Sequence, residues 1–177
     1  MNINMKKKLI VTSLLAASVF ASTANATVIN ITGSIAASPC KVKSTSTSSV
    51  KMPAIFEADI SPLKTGDVIT KSVTPININL EDCPIAAGNS NAVVTFTGTA
   101  ADDAFSLGSV VKGVALKVYD KTDNEVKATS GTAKSMNNLI TASATQTLEY
   151  KLKYVKTADT FKEGAVDTAL TFDVAYN

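Results

Sequence analysis

Few residues in this chain have the chemistry for catalysis. Histidine, tryptophan and arginine are absent from its 177 residues. The usual catalytic triads and the commonest metal ligand are therefore missing. The strongest catalytic suggestion is Ser61-Pro62-Leu63-Lys64-Thr65-Gly66, which contains both S-x-x-K and K-T-G, motifs of penicillin-recognising serine enzymes. In those enzymes the motifs lie far apart in sequence and meet across a cleft. Here they overlap, so they cannot face each other. S-x-x-K also occurs at Ser48–Lys51 and Ser109–Lys112, as chance provides in a chain rich in Ser and Lys. No enzyme is expected.

The acidic clusters are Asp102-Asp103 and Asp120/Asp123/Glu125. Neither matches a calcium loop, and turns are the ordinary place for such residues. The two cysteines, Cys40 and Cys83, read as one disulfide in an exported chain, which also leaves zinc without ligands. No metal and no cofactor are expected. The sequons Asn25-Ala26-Thr27 and Asn30-Ile31-Thr32 read as cleavage-site and strand residues.

Export is read from the start of the chain. Lys6-Lys7-Lys8 precede the apolar run Leu9–Phe20, and small residues follow to Ala24-Asn25-Ala26. That is a signal peptide over 1–26, cut after Ala26 or alternatively after Ala24 or Ala21. The apolar run is too short for a membrane span, which needs about 20 residues. The leader holds three of the 17 basic residues, and removing it takes the formal charge from +2 to about −1. Nucleic acid and acidic membranes thereby lose their electrostatic support as partners. Residues 27–177 read as one domain.

The elements that position these residues are strands. Thr27–Ile35 alternates, with Thr27, Ile29, Ile31, Gly33 and Ile35 on one side and Val28, Asn30 and Thr32 on the other. Further strands are expected at Ser72–Leu80, Ala92–Gly98, Val110–Tyr119, Glu125–Thr129, Thr147–Val155 and Ala169–Tyr176. In the last, Leu170, Phe172, Val174 and Tyr176 share a face. The Thr/Ser-rich stretch after Cys40 is either an exposed edge strand or a loop. A short helical turn is expected within Ala54–Val68. Short strands separated by turns predict an antiparallel β-sandwich.

Taken in order, these pieces resemble the chaperone–usher pilus (fimbrial) subunits, of the type 1 or P-pilus kind, major or minor. The resemblance rests on the alternating segment with Gly33 leading to Cys40, then Met52-Pro53-Ala54-Ile55 and Leu63-Lys64-Thr65-Gly66-Asp67. It continues with Thr74-Pro75-Ile76-Asn77-Ile78-Asn79-Leu80-Glu81-Asp82-Cys83-Pro84, Val94–Gly98, Gly113–Asp120 and the penultimate Tyr176. It implies an incomplete immunoglobulin-like sandwich of six strands whose final strand is missing, since the chain ends directly after Tyr176. In the family a periplasmic chaperone first fills the resulting groove. The N-terminal segment of another pilin subunit then replaces it, at an outer-membrane usher.

Carried onto this chain, the resemblance makes Thr27, Ile29, Ile31, Gly33 and Ile35 the donor strand. It makes Leu170, Phe172, Val174 and Tyr176 the groove contacts for chaperone or donor. Read from the residues alone, Thr27–Ile35 could equally be the first strand of a complete domain. Cleavage after Ala26 leaves six residues before Gly33, a short donor that would suit a weakly donating subunit. The implied role is a structural subunit of an adhesive surface pilus; the alternative is a subunit that binds a host glycan or protein receptor. The implied location is the cell surface, reached through the periplasm.

Overall fold

The computed structural model describes residues 40–83, 90–136, 138–141 and 143–176, all within the unit Ala36–Asn177. In chain order the elements begin with β1 (Lys41–Val42), helix α1 (Glu57–Ile60) and a 3-10 turn at Thr70–Ser72. Then come β2 (Thr74–Glu81), β3 (Ser90–Gly98), β4 (Ala100–Ala101), β5 (Ala104–Phe105) and β6 (Val114–Asp120). The chain continues through β7 (Glu125–Val126), β8 (Ala128–Thr129), β9 (Thr132–Lys134), β10 (Asn138–Ile140), β11 (Thr145–Lys156) and β12 (Leu170–Tyr176).

These strands form two sheets, and every pairing among them is antiparallel. The larger runs β1-β2-β11-β6-β5-β4, with β7 also on β6. In the smaller, β3 is central: β12 lies along one edge, and β9 and β10 along the other, with β8 beyond β9.

The core follows from period-two patterning. Ile76, Ile78 and Leu80 of β2, Leu148, Tyr150, Leu152 and Tyr154 of β11, and Leu116 and Val118 of β6 all turn inward and are buried. They meet Ala92, Val94 and Phe96 of β3, with Phe96 edge-on to Tyr150 at 5.0 Å between ring centroids. The Cys40–Cys83 disulfide ties the start of β1 to the end of β2, where Lys41 pairs with Glu81 and Val42 with Leu80.

Several expectations shift in detail. The strand expected from Val110 begins at Val114, because Gly113 sits at φ +79 and a Cβ there would lie 2.7 Å from the Phe161 backbone. Glu125–Thr129 is two strands in different sheets, the chain crossing between them at Lys127. On β6 the face opposite the core is buried too: Ala115 packs with Ala104 and Val155 beneath Val68 and Ala101. Lys117 and Tyr119 on that same face are also buried.

Those two residues belong to a charged network. Lys117 Nζ lies 2.6 Å from Asp103 and 3.0 Å from Glu125. Lys153 Nζ lies 2.7 Å from Asp123, and 4.1 Å above the Tyr119 ring. Burial lowers the Lys117 pKa, but hydrogen bonds to Asp103 and Glu125 outweigh it and hold the ammonium above the ordinary lysine range. Hydrogen bonds from Lys117 and Lys153 hold the carboxyls of Asp103 and Asp123 below theirs.

The Thr/Ser-rich stretch resolves into something between strand and loop. It follows the free edge of β2, with Lys43 N donating to Asn79 O at 2.8 Å and Thr47 N to Asn77 O at 2.9 Å. Side-chain hydroxyls take over the return bonds: Asn77 N donates to Thr47 Oγ1 and Asn79 N to Ser46 Oγ, both at 3.0 Å. Hydroxyls substituting for backbone acceptors explain why the stretch lacks a strand's hydrophobic alternation.

Candidate functional site

β12 is an unfinished strand. Its seven residues pair with β3 from Leu170↔Gly98 to Tyr176↔Ala92. No strand lies along its other edge among the described residues. The alternation that points Leu170, Phe172, Val174 and Tyr176 inward is present as expected, and all four pack against the core. Yet each is only half-buried, whereas Val94 and Phe96 beside them on β3 are fully enclosed. The outer sides of Leu170 and Phe172 face a cleft.

That cleft has a volume of about 420 Å³. One wall is the end of β12, Leu170 and Phe172, with the residues before it. The opposite wall is Thr47–Val50 and Met52. The floor is apolar: Ile76, Phe96, Leu107, Leu116, Leu152 and Tyr154. Past Leu170 a second cleft of about 360 Å³ takes over, reaching Ile55, Val111 and Phe161. The two share Met52, Leu107, Tyr154 and Val166, so they form one groove. Backbone bonds tie Thr47 to β2, but none is made by 48–55 among the described residues.

An apolar floor between two backbone edges with free donors and acceptors has the chemistry to take an extended strand. Edge hydrogen bonds give affinity, and alternate side chains fill the floor. The free edge of β12 is seven residues long, about 23 Å of strand.

At the other end of β12, the Tyr176 hydroxyl donates to the Cys40 carbonyl at 3.0 Å. Burial pushes the phenols of Tyr176 and Tyr154 above their usual range. The groove wall is therefore fixed to the disulfide-bonded residue at which the described chain begins. Val174 and Tyr176 share the inward face with Leu170 and Phe172 but do not line either cleft. Thr27, Ile29, Ile31, Gly33 and Ile35 lie outside the described residues.

The other sequence candidates stand apart from the groove or fill structural roles. Ser61 is the C-cap of α1, its N–H donating to Glu57 O at 2.8 Å. Lys64 starts the turn closed by Asp67 at 2.8 Å, in which Gly66 takes φ +92. Asp120 Oδ1 accepts from Thr122 N and Asn124 N, an Asx turn that closes the β6–β7 hairpin. Among the described residues no group of three or more His, Cys, Asp or Glu side chains is placed to hold a metal.

Sequence reasoning missed the far wall, Thr47–Met52, and the Phe161–Val166 end of the groove. Val50, Met52 and Phe161, isolated apolar residues in polar stretches, were the only signal available.

The family model described as fimbrial protein matches residues 29–177. A search of curated proteins returned no match. Among solved structures, the P pilus rod subunit PapA superposes with a TM-score of 0.64 at 18% identity, covering 79% of this chain and 100% of that one. A chaperone–usher pilus subunit gives 0.62 at 17% identity, covering 85% and 95%. A type I fimbria protein of Burkholderia pseudomallei gives 0.55 at 27% identity, covering 84% and 96%. The CupB6 tip adhesin of Pseudomonas aeruginosa gives 0.57 at 16% identity over 77% of this chain, which spans only 38% of that protein.

Proposed function

Because the chain belongs to the fimbrial protein family, a pilin subunit of the chaperone–usher type, we propose that it is a structural, polymerising subunit of the fibre. Its groove takes the N-terminal segment of a neighbouring pilin, and its own Thr27–Ile35 is donated in turn. The observation that carries this is β12: a seven-residue strand paired on one edge only, with four apolar side chains left half-buried.

Each isoleucine of the incoming segment contributes about 1.5–3 kcal/mol if fully buried. Ile29, Ile31 and Ile35 on one face match a groove that is apolar along its floor. Gly33 between them suits a point where the two backbones come close. Before assembly a periplasmic chaperone occupies the same groove, and an outer-membrane usher organises the exchange at the cell surface.

The test is self-completion. Fusing TVINITGSI through a flexible linker after Asn177 should yield a stable monomer, whereas the unfused mature chain aggregates or unfolds readily. A soluble, cooperatively folding monomer without fusion or chaperone would defeat the proposal.

A receptor-binding role is the second reading. It is favoured by a cleft of about 480 Å³ between the 120–126 turn and residues 134–138, whose lining includes Asp120, Lys134, Asn138 and Glu149. Glycan arrays probed with assembled fibres would decide it; retention of a sugar class that is lost on Lys134→Ala, an exposed residue of the cleft, would support it.

A further inference from the structure

We infer that Met52 is an oxidation site that closes the groove: its sulfoxide, formed by a peroxide while the groove is empty, opposes entry of a strand. This deepens the strand-donation reading and rests on it. Three observations support it.

The first is placement. Met52 is common to both clefts, so it stands where they join. It is half-buried, whereas Leu107 and Tyr154, which share that junction, are buried. It lies on the wall opposite Leu170 and Phe172. A strand filling the space between those walls covers it, and an empty groove leaves it open to small solutes.

The second is chemistry. The chain has no tryptophan, and both cysteines are consumed in the disulfide. Among the described residues lining the two clefts, Met52 alone carries sulfur. A lone pair of the thioether attacks hydrogen peroxide; an S–O bond forms and the O–O bond breaks. After proton transfer the products are methionine sulfoxide and water, with two electrons passed from sulfur to the peroxide. The new oxygen is a strong acceptor beside the apolar floor of Leu107, Leu116 and Leu152. An isoleucine arriving there must strip its water without replacing the hydrogen bonds.

The third is what holds the wall. Residues 48–55 make no backbone–backbone hydrogen bond among the described residues. Met52 and Ile55 fix the stretch instead, by packing against the core. A thioether does this because it is flexible and apolar, and the sulfoxide is neither so apolar nor so adaptable. One reaction therefore alters both the surface of the groove and the anchoring of its far wall.

The chain carries its own reference. Of its four methionines, Met1 and Met5 precede the expected cleavage site. Met136 is 83% exposed and lines neither cleft of the groove.

The test uses the full mature chain with TVINITGSI fused after Asn177, and Ile31→Asp in the fused segment as the empty-groove form. Under hydrogen peroxide, site-resolved mass spectrometry should find Met52 oxidised about tenfold faster in the empty form, with Met136 equally fast in both. Equal rates at Met52 overturn the inference. A higher urea midpoint for the intact fusion then leaves strand donation standing, whereas equal midpoints remove both. A second arm does not need the disabled segment: the intact fusion is oxidised in urea, where both methionines react, and then refolded. Its folding equilibrium constant should fall about tenfold. Met52→Leu should abolish that loss, Met136→Leu should retain it, and methionine sulfoxide reductases should reverse it. No loss, a loss that follows Met136, or an equal loss in the Ile31→Asp form would each overturn the inference.

Discussion

β11 and β12 have nearly the same pattern and opposite situations. Thr147–Val155 reads TLEYKLKYV and Ala169–Tyr176 reads ALTFDVAY, each alternating large apolar residues with polar or small ones. β11 is held on both edges, by β2 and by β6, and Leu148, Tyr150, Leu152 and Tyr154 are at most 5% exposed. β12 has β3 alone, and its matching four residues are half-buried. A strand's own sequence fixes which way its side chains point. Whether they are covered is decided by a neighbour, and for β12 that neighbour is missing among the described strands.

The comparison is broken most severely at β11. Tyr150→Ala removes a ring that packs on Phe96 and a hydroxyl that accepts from Asn138 Nδ2 at 3.0 Å. It should cost about 3–5 kcal/mol in urea unfolding of the linker-fused protein, whether or not the fused segment is intact. Phe172→Ala sharpens the contrast. It should cost about 1–2 kcal/mol when the fused segment is disabled by Ile31→Asp and about 3 kcal/mol when it is intact. Equal costs in the two backgrounds would mean that nothing apolar closes over Phe172.

Tyr176→Phe keeps the packing and removes only the bond to Cys40 O, an expected loss of about 1 kcal/mol. The smallest effect lies on the polar face of β11. Lys153 and Lys151 hold Asp123 below the ordinary carboxylate range. Their support is therefore complete above the unfolded-state pKa and disappears as pH falls through the lowered one. Asp123→Asn should leave stability at neutral pH slightly reduced and flatten the acid limb of a stability–pH profile.

Legibility followed the same division. Long strands that bury one face, β2, β3, β11 and β12, were readable from period two alone, including the inward set Leu170, Phe172, Val174 and Tyr176. β6 was half readable: its inward face was plain, but burial of Ala115, Lys117 and Tyr119 depends on the β4–β5 hairpin, Val68 and carboxylates distant in sequence. The crossing at Lys127 left no local mark, since alternation continues across it. The far groove wall was illegible for a chemical reason. Ser46 and Thr47 replace backbone bonds with hydroxyls, and a polar stretch can therefore line an apolar groove.

The Cys40–Cys83 bond also determines how a fibre built by strand donation would bear tension. Pulling on a donated segment delivers force to Cys40, and the covalent bridge passes it straight to the end of β2, beside β11 in the larger sheet. The chain between the cysteines, with a sequence separation of 43, is bypassed. About 150 Å of contour length is thereby withheld from extension. What remains in the load path is one strand lying along β12, pulled parallel to its hydrogen bonds' ladder so that they must shear together rather than unzip. Reducing the disulfide would lengthen the fibre under load before a single subunit left its neighbour.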